Sequence, residues 1–432
     1  MLRLRYIKYS LVSGFLILTF LIQLVFIQDW NFVLILQALI LDFAIILGIY
    51  AFRGFDNSTI TSLNACFVAF FSGTLLGSLF ALLVILFFRP RISHPVFLIT
   101  MILAVLPFPI LSNLILKRAL KTLPPKKYLV VGRESEIGEI LREVERTSMG
   151  KIQVIGYMNP SPMALEQAIT TNIFDAILVA DQKLYRSVES VLEKASSQGK
   201  SVEFLPLIVE QTLKRIPIEL IDKFKEYYEI EFSKVSISPA KKVFDIIFAL
   251  IGIIIGSPIM AILAIAIFVE SGRPIIFKQK RIGTNMKPFT FIKFRSLKNL
   301  GETELEKLNN PNATIKQRVT KVGKLMRKFR IDELPQFFNV LNGTMSVIGP
   351  RPEMPAYHNQ CLKNIPYYSL RYKMKPGITG WAQINYKHTS GLEDYKIKTE
   401  YDLYYIKNRS ILLDLQITLR TIETMLGMKG AR

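Results

Sequence analysis

The sequence predicts a multi-domain membrane protein: a four-helix transmembrane bundle over residues 1–120, a small α/β module over 121–235, and a mainly α-helical domain over 236–432. The third part is expected to dip into the membrane through a re-entrant helix-break-helix at 241–270. Three observations predict this. Four apolar runs of about the ~20 residues needed to cross a bilayer core follow one another in the first third. Short apolar runs then alternate with amphipathic ones in βαβ order. A later apolar run, Ile246–Val269, is interrupted by Ser257-Pro258 and flanked by basic residues at both ends. A hydrophobic fraction of 50% with mean hydropathy +0.30 over 432 residues is too apolar for an ordinary soluble chain.

The four spans are read at Ser10–Ile27, Phe32–Tyr50, Leu63–Phe88 and Pro95–Leu116. The first continues without a small-residue cleavage site into the second, so it is kept as an anchor rather than a signal peptide. Arg3, Arg5, Lys8, Arg53, Lys117, Arg118, Lys121, Lys126 and Lys127 fall on one side of these spans, with Arg89 and Arg91 on the other. The positive-inside rule therefore puts both ends of the bundle in the cytoplasm. Asp42, the sole acid inside a span, is a candidate for packing or pairing.

A linker at Lys121–Lys127 opens the α/β module. Strands are predicted at Tyr128–Val131, Gln153–Tyr157, Phe174–Ala180 and Ser201–Leu205, and helices at Ile137–Arg146, Ala164–Ala168 and Leu184–Gln198. The first strand runs into a glycine-bearing turn, Gly132 to Gly138, that resembles a Rossmann-like half-domain. The spacing is not GxGxxG, and no ribose-binding acid closes the second strand. None of the seventeen tyrosines has Lys four residues on, which argues against short-chain nicotinamide chemistry.

The run Ile246–Val269 is long enough to be a fifth span, but Ser257-Pro258 breaks helical geometry near its middle. Lys241 and Lys242 precede it, and Arg273, Lys278, Lys280 and Arg281 follow. Basic flanks at both ends favour a hairpin that enters and leaves by one face, with the serine hydroxyl satisfying backbone groups freed at the break. The alternative is a kinked transmembrane helix.

A net charge of +21, from 55 Lys+Arg against 34 Asp+Glu, calls for anionic partners. From Arg273 to Arg330 there are sixteen basic residues and three acids, interleaved with Phe277, Phe289, Phe291 and Phe294. That pattern also suits nucleic acid, yet a juxtamembrane basic stretch favours an anionic lipid membrane and a diphosphate, with no nucleic acid. Cys66 and Cys361 make no disulfide framework, and His94, His358 and His388 lack ligand partners at i+3 or i+4.

The densest chemistry lies between Arg327 and Pro352. Asp332 and Glu333 follow Arg327, Lys328 and Arg330, and Arg351 sits between Pro350 and Pro352, whose rings fix the turn that aims it. A carboxylate ringed by cations stays ionised and nucleophilic, while its neighbour can ligate a hard divalent metal. An isolated Asp-Glu pair would simply balance a basic helix.

Five blocks carry a family resemblance: Ile276–Gly283, Lys293–Ser296, Asp332-Glu333-Leu334-Pro335-Gln336, Gly349-Pro350-Arg351-Pro352, and Lys375–Trp381. Together they resemble the bacterial sugar transferases that act as polyprenyl-phosphate hexose-1-phosphate transferases, and the segments before them resemble the long-form members. The resemblance implies transfer of a hexose-1-phosphate from a UDP-sugar to undecaprenyl phosphate, with release of UMP, at the start of capsule, exopolysaccharide or O-antigen synthesis. It implies Asp332 as nucleophile, Glu333 as the principal Mg2+ ligand, Arg351 as a phosphate or nucleotide contact and Arg327 as a supporting cation, with Lys293 and Arg295 on the other side of the pocket. It also implies a homodimer in the bacterial inner membrane with its catalytic domain facing the cytoplasm. A non-catalytic scaffold or nucleotide-sensing regulator is the alternative. The loop Asn299–Gln317 is expected beside the pocket, Trp381 is expected to pack near it, and Ile411–Leu426 reads as an amphipathic helix.

Overall fold

The structure, a computed structural model, describes residues 2–26, 32–56, 59, 63–88, 94–159, 161–171, 173–236, 238–298, 318–386 and 391–425. Arg89, Arg91, His388 and the loop at 299–317 lie outside the described residues, as do the side chains of Arg3, Arg5 and His94. The chain divides into two compact units, Met1–Lys214 with Asp222–Phe224, and Arg215–Ile221 with Lys225–Arg432.

In the first unit, helices α1 (Leu2–Phe26), α2 (Phe32–Ala51) and α3 (Leu63–Phe88) realise the first three apolar runs. The fourth run is two helices, α4 (His94–Val105) and α5 (Pro107–Thr122), because Pro107 has no N–H with which to continue the ladder. Asp42 finds both its partners on α1. It accepts from Thr19 Oγ1 at 3.0 Å and from Gln23 Nε2 at 2.8 Å, and the same amide reaches Thr100 Oγ1 at 2.7 Å. These four polar side chains are buried and tie α1, α2 and α4 together. Helices α2 and α3 meet backbone to backbone: a Cβ on Gly73 would lie 2.6 Å from Ile49 Cα, and one on Gly48 or Gly77 would strike a facing carbonyl. In lipid, where burial from water cannot drive association, such close approach is what holds helices together.

The α/β module runs β1 (Lys126–Val131), α6 (Glu134–Thr147), β2 (Ile152–Met158), α7 (Pro162–Thr171), β3 (Ala176–Val179), α8 (Gln182–Ser197) and β4 (Ser201–Phe204). Its four strands are parallel in the order β2-β1-β3-β4, which puts a topological switch point between β1 and β3. There Gly132 packs so close to Ala180 that an added Cβ would lie 2.7 Å from that methyl. The first turn of α6 carries Glu134 and Glu136, which oppose the phosphate a helix N-terminus otherwise attracts. Lys223 bridges Glu136 and Asp181 at the same crevice. Helix α9 (Leu205–Leu213) and the short helices α10 (Ile218–Lys223) and α11 (Lys225–Ser233) follow.

The second unit is built on α12 (Pro239–Ser271), a single helix of 33 residues with Pro258 inside it. This corrects the expected helix-break-helix: no interruption separates two helices at Ser257-Pro258. The proline deprives the Ile254 carbonyl of its backbone donor, and Ser257 Oγ supplies one at 2.9 Å. One face of α12 meets the rest of the unit along its whole length. Asp245 accepts from Ser346 Oγ and Val347 N, and a Cβ on Gly252 would lie 2.6 Å from the Phe337 ring. Gly256 faces Leu334, and Leu263 and Ile267 pack with Phe294 and Met326. The opposite face exposes Ile247, Ile251, Ile254, Ile262, Ile265 and Val269. The described chain thus holds five helical segments long and apolar enough to cross a membrane, of which α4 with α5 is one and α12 is another.

After α12 come the antiparallel hairpin β5 (Ile276–Ile282) and β6 (Pro288–Phe294), α13 (Lys321–Phe329), α14 (Gln336–Leu341) and β7 (Ser346–Ile348). Then follow α15 (Pro355–Asn364), β8 (Gly377–Thr379), α16 (Trp381–Asn385), α17 (Leu392–Asn408) and α18 (Ile411–Met425), with β8 parallel to β7. Trp381 is buried, stacked on Tyr404 and covered by the Arg420 guanidinium 5.9 Å from its ring, so it packs as expected.

The glycine contact between α2 and α3 makes a direct prediction. Gly73→Leu overpacks it, at a cost of about 1–3 kcal/mol, and lowers the melting temperature of detergent-solubilised protein. Leu79→Ile, on the exposed side of α3, leaves that temperature unchanged.

Candidate active site

The acidic pair sits on a turn made by the end of α13. Arg330 closes that helix in the left-handed conformation, φ 53°, and Ile331–Glu333 form one 3-10 turn. Ile331 packs with Leu263 and Ile267 of α12, and Leu334 lies against Gly256 of the same helix. Asp332, between them, is only 7% exposed. Burial pushes its carboxyl above the ordinary aspartate range and Glu333 adds to this, while Lys293 and Arg327 pull the other way. The expected dominance of the cations is therefore corrected: desolvation outweighs them. Burial likewise lowers Lys293, opposed by Asp332, which lies within its electrostatic reach. Arg327 donates from Nε to Ser296 Oγ at 2.9 Å and lies within electrostatic reach of Asp332.

Arg351 reaches the pair from the other side, its Nη2 3.4 Å from Glu333 Oε1. Glu333 holds this guanidinium charged, against the effect of burial. The backbone that aims it is pinned at four successive carbonyls. Pro350 O accepts from Gly377 N at 2.9 Å, Arg351 O from Arg371 Nη2 at 3.0 Å, Pro352 O from Arg281 Nη1 at 3.1 Å, and Glu353 O from Ile282 N at 3.0 Å. The first of these needs Gly349, Gly377 and Gly380 together, since a Cβ on any of them would strike backbone of the facing segment. Two of those glycines belong to the Lys375–Trp381 block, which explains why that block accompanies the site.

The structure thus brings together Asp332, Glu333, Lys293, Arg327 and Arg351, framed by Pro350 and Pro352. Arg295 is placed elsewhere, a correction to the sequence reading. Strand β6 ends at Phe294, and the buried Arg295 guanidinium donates to Ser271 O at 2.8 Å, Gly272 O at 2.6 Å and Arg273 O at 3.0 Å. It caps the carbonyl end of α12, where a cation also complements the helix dipole. Lys328 and Arg330 are exposed. His358 Nδ1 meets Tyr372 Oη at 2.9 Å, a packing role.

Two residues escaped the sequence reading as functional groups. Arg281 lay inside a quoted block without a role, yet it holds the Pro352 carbonyl and lies within reach of Arg351, Glu353 and Glu333. Arg371 had no signal at all, because its partner Asp402 is 31 residues away; the two form a buried ion pair at 2.7 Å. Burial pushes Asp402 up to about 6, and Arg371 opposes this.

The bacterial sugar transferase family matches residues 236–428. A UDP-N-acetylgalactosamine-undecaprenyl-phosphate N-acetylgalactosaminephosphotransferase of Aeromonas hydrophila is 45% identical over 192 residues, 44% of this chain and 45% of that protein. A UDP-glucose:undecaprenyl-phosphate glucose-1-phosphate transferase of Escherichia coli K12 is 42% identical over 184 residues, 42% of this chain and 39% of that protein. EpsL of Bacillus subtilis, an uncharacterized sugar transferase, is 37% identical over 194 residues, 44% of this chain and 89% of that protein. The chain belongs to the bacterial sugar transferase family. Its matches span less than half the length of the first two relatives.

Arg371→Leu leaves Asp402 buried without its cation, an expected loss of about 3–5 kcal/mol at pH 8. The sign with pH follows from the raised folded value. Loss of Arg371 raises the folded value further, so the deficit shrinks as pH falls to 5 and grows as pH rises from about 6 through the variant's higher value. Denaturant unfolding of wild type and variant at the two pH values measures both.

Proposed function

We propose that the protein transfers a hexose-1-phosphate from a UDP-sugar to undecaprenyl phosphate and releases UMP. The observation that carries this reading is a buried aspartate flanked by Lys293 and Arg327, beside a glutamate paired with an immobilised arginine. Relatives named for glucose and for N-acetylgalactosamine match about equally well, so the reading is of a UDP-hexose donor as a class.

In the first half, an Asp332 carboxylate oxygen attacks the phosphorus that bears the sugar. The bond from that phosphorus to the bridging oxygen breaks, and UMP leaves with the electron pair, giving an aspartyl-phosphosugar. In the second half, a phosphate oxygen of undecaprenyl phosphate attacks the same phosphorus and the Asp332 carboxylate departs. An anionic nucleophile meeting an anionic diphosphate is opposed by repulsion, which Lys293, Arg327 and Arg351 offset with fixed positive charge. Because the Arg351 backbone is already pinned, little reorganisation is needed when charge builds on the transferring group.

Among the described residues no group of three or more His, Cys, Asp or Glu side chains could hold a metal ion by itself. Two adjacent carboxylates nevertheless fit Mg2+, which is commonly held by one or two carboxylates with substrate phosphates and water completing its shell. Glu333 would be its principal ligand, and the ion would supply Lewis-acid neutralisation of the diphosphate. The membrane placement belongs to the same reading. Helix α12 is about 50 Å long against a bilayer core of about 30 Å, yet both its ends and its middle pack on one unit. It therefore lies with its bare face against the cytoplasmic leaflet of the inner membrane and keeps both ends on the same side. In this reading the enzyme starts lipid-linked surface polysaccharide assembly.

Purified protein with Mg2+, undecaprenyl phosphate and a panel of UDP-hexoses is expected to release UMP, and Asp332→Asn to release none. Equal rates for the two would sink the proposal, leaving a scaffold role in its place. Lys293→Met removes a cation that favours the Asp332 carboxylate, so the acid value rises further. The acid limb of the pH–rate profile then moves to higher pH, whereas Lys293→Arg keeps it in place.

Cysteines introduced at Lys242 and Arg273, in a background with Cys66→Ala and Cys361→Ala, test the topology. Both are expected to label only from the cytoplasmic side, and labelling of one from the periplasm contradicts it.

A further inference from the structure

The turn at Pro350–Glu353 leads directly into α15, and on that helix stands an aromatic pair the reaction above does not use. Tyr357 stacks on Tyr395 of α17, with ring centroids 5.9 Å apart and planes 25° apart. Lys398, one turn further along α17, holds its ammonium 4.8 Å from the centroid of the Tyr395 ring. Tyr357 is 42% exposed, so part of its ring remains open to solvent.

This cluster adjoins the pinned turn rather than standing apart from it. Tyr395 packs in a cluster that contains Ile282, whose N–H holds the Glu353 carbonyl at 3.0 Å. Arg281, the preceding residue, holds the Pro352 carbonyl at 3.1 Å and lies within electrostatic reach of Arg351 and Tyr395. The β5 end and the turn therefore connect the acidic pair, through Arg351, to the stacked tyrosines.

The two directions out of the pocket differ in kind. On the Asp332 side, Ile331 and Leu334 rest against α12, whose other face is bare apolar surface. A long hydrocarbon chain must approach from there. The tyrosines stand on α15 and α17, which expose Asn359, Gln360, Lys363 and Glu393. A water-soluble group belongs there, and an aromatic ring with an open side suits a planar one.

We propose that Tyr357, backed by Tyr395 and Lys398, is the subsite for the nucleobase of the donor, which stacks on the open side of the Tyr357 ring. The inference rests on the donor reading above and adds where the nucleoside end lies. Stacking of a base on one aromatic side chain corresponds to roughly 10-fold to 100-fold in affinity.

The test is calorimetric titration of the full-length protein in detergent with UMP, and separately with ribose 5-phosphate, which carries the phosphate and sugar without the base. Wild type, Tyr357→Ala and Tyr357→Phe are compared, with melting temperatures confirming that each is folded. Tyr357→Ala is expected to weaken UMP by roughly 10-fold to 100-fold and to leave ribose 5-phosphate unchanged, while Tyr357→Phe binds UMP as wild type does. In steady state, Tyr357→Ala raises KM for the donor and spares kcat, as loss of binding shared by ground and transition states requires. UMP binding equal in wild type and Tyr357→Ala overturns the subsite while leaving the donor reading intact. Wild type that binds neither probe overturns both.

Discussion

Four consecutive backbone carbonyls, from Pro350 to Glu353, are held by donors from three separate parts of the second unit, and the site depends on that constraint. The donors are a glycine N–H of β8, a buried arginine, an arginine of the β5 hairpin and the last N–H of that hairpin's first strand. An arginine on a mobile loop would have to be ordered at each turnover, at a cost in side-chain and backbone entropy. Here the backbone part of that ordering is already in place. The two prolines restrict φ on either side of Arg351, so the ladder of carbonyls and the pyrrolidine rings enforce one conformation.

The same constraint explains an otherwise odd distribution of buried charge. Arg371 sits in the interior with its ion-pair partner Asp402, and replacing such a pair by apolar residues is often neutral or stabilising. Its retention here makes sense through its other bond, to the Arg351 carbonyl. A buried guanidinium can serve a carboxylate and a carbonyl at once, which an apolar side chain cannot. Arg295 follows the same logic at the end of α12, where one guanidinium meets three successive carbonyls.

Much of this was legible in the sequence because its signals are local. Apolar runs located the membrane helices, strand and helix alternation gave the parallel module, and motif blocks gave the acidic pair with Lys293, Arg327 and Arg351. What stayed hidden depends on contacts far apart along the chain. Nothing in hydropathy distinguishes Gly48, Gly73 and Gly77 as the seam of the bundle. Arg371 and Asp402 look like surface charges until the fold buries them. Lys293 and Arg295 look equivalent at a spacing of two, and only the end of β6 between them decides that one meets Asp332 and the other a helix terminus. The reading of Ser257-Pro258 was right about the hydroxyl and wrong about the break, since a single rescued carbonyl was enough to keep the helix continuous.

Helix α12 joins these themes. Asp245, near its start, holds Ser346 and Val347 of β7, the strand that leads into the pinned turn. Its middle supports Leu334, and its final turns support Ile331, the residues on either side of the acidic pair. Both halves of the site are therefore referenced to one rigid rod, and the other side of that rod is bare apolar surface. A displacement of the helix would carry Asp332 and Arg351 together and leave their separation unchanged. The proposed reaction joins a soluble nucleotide sugar to a substrate confined to a bilayer, and a helix that supports the site on one face and presents bare apolar surface on the other would set the depth of Asp332 in that reading.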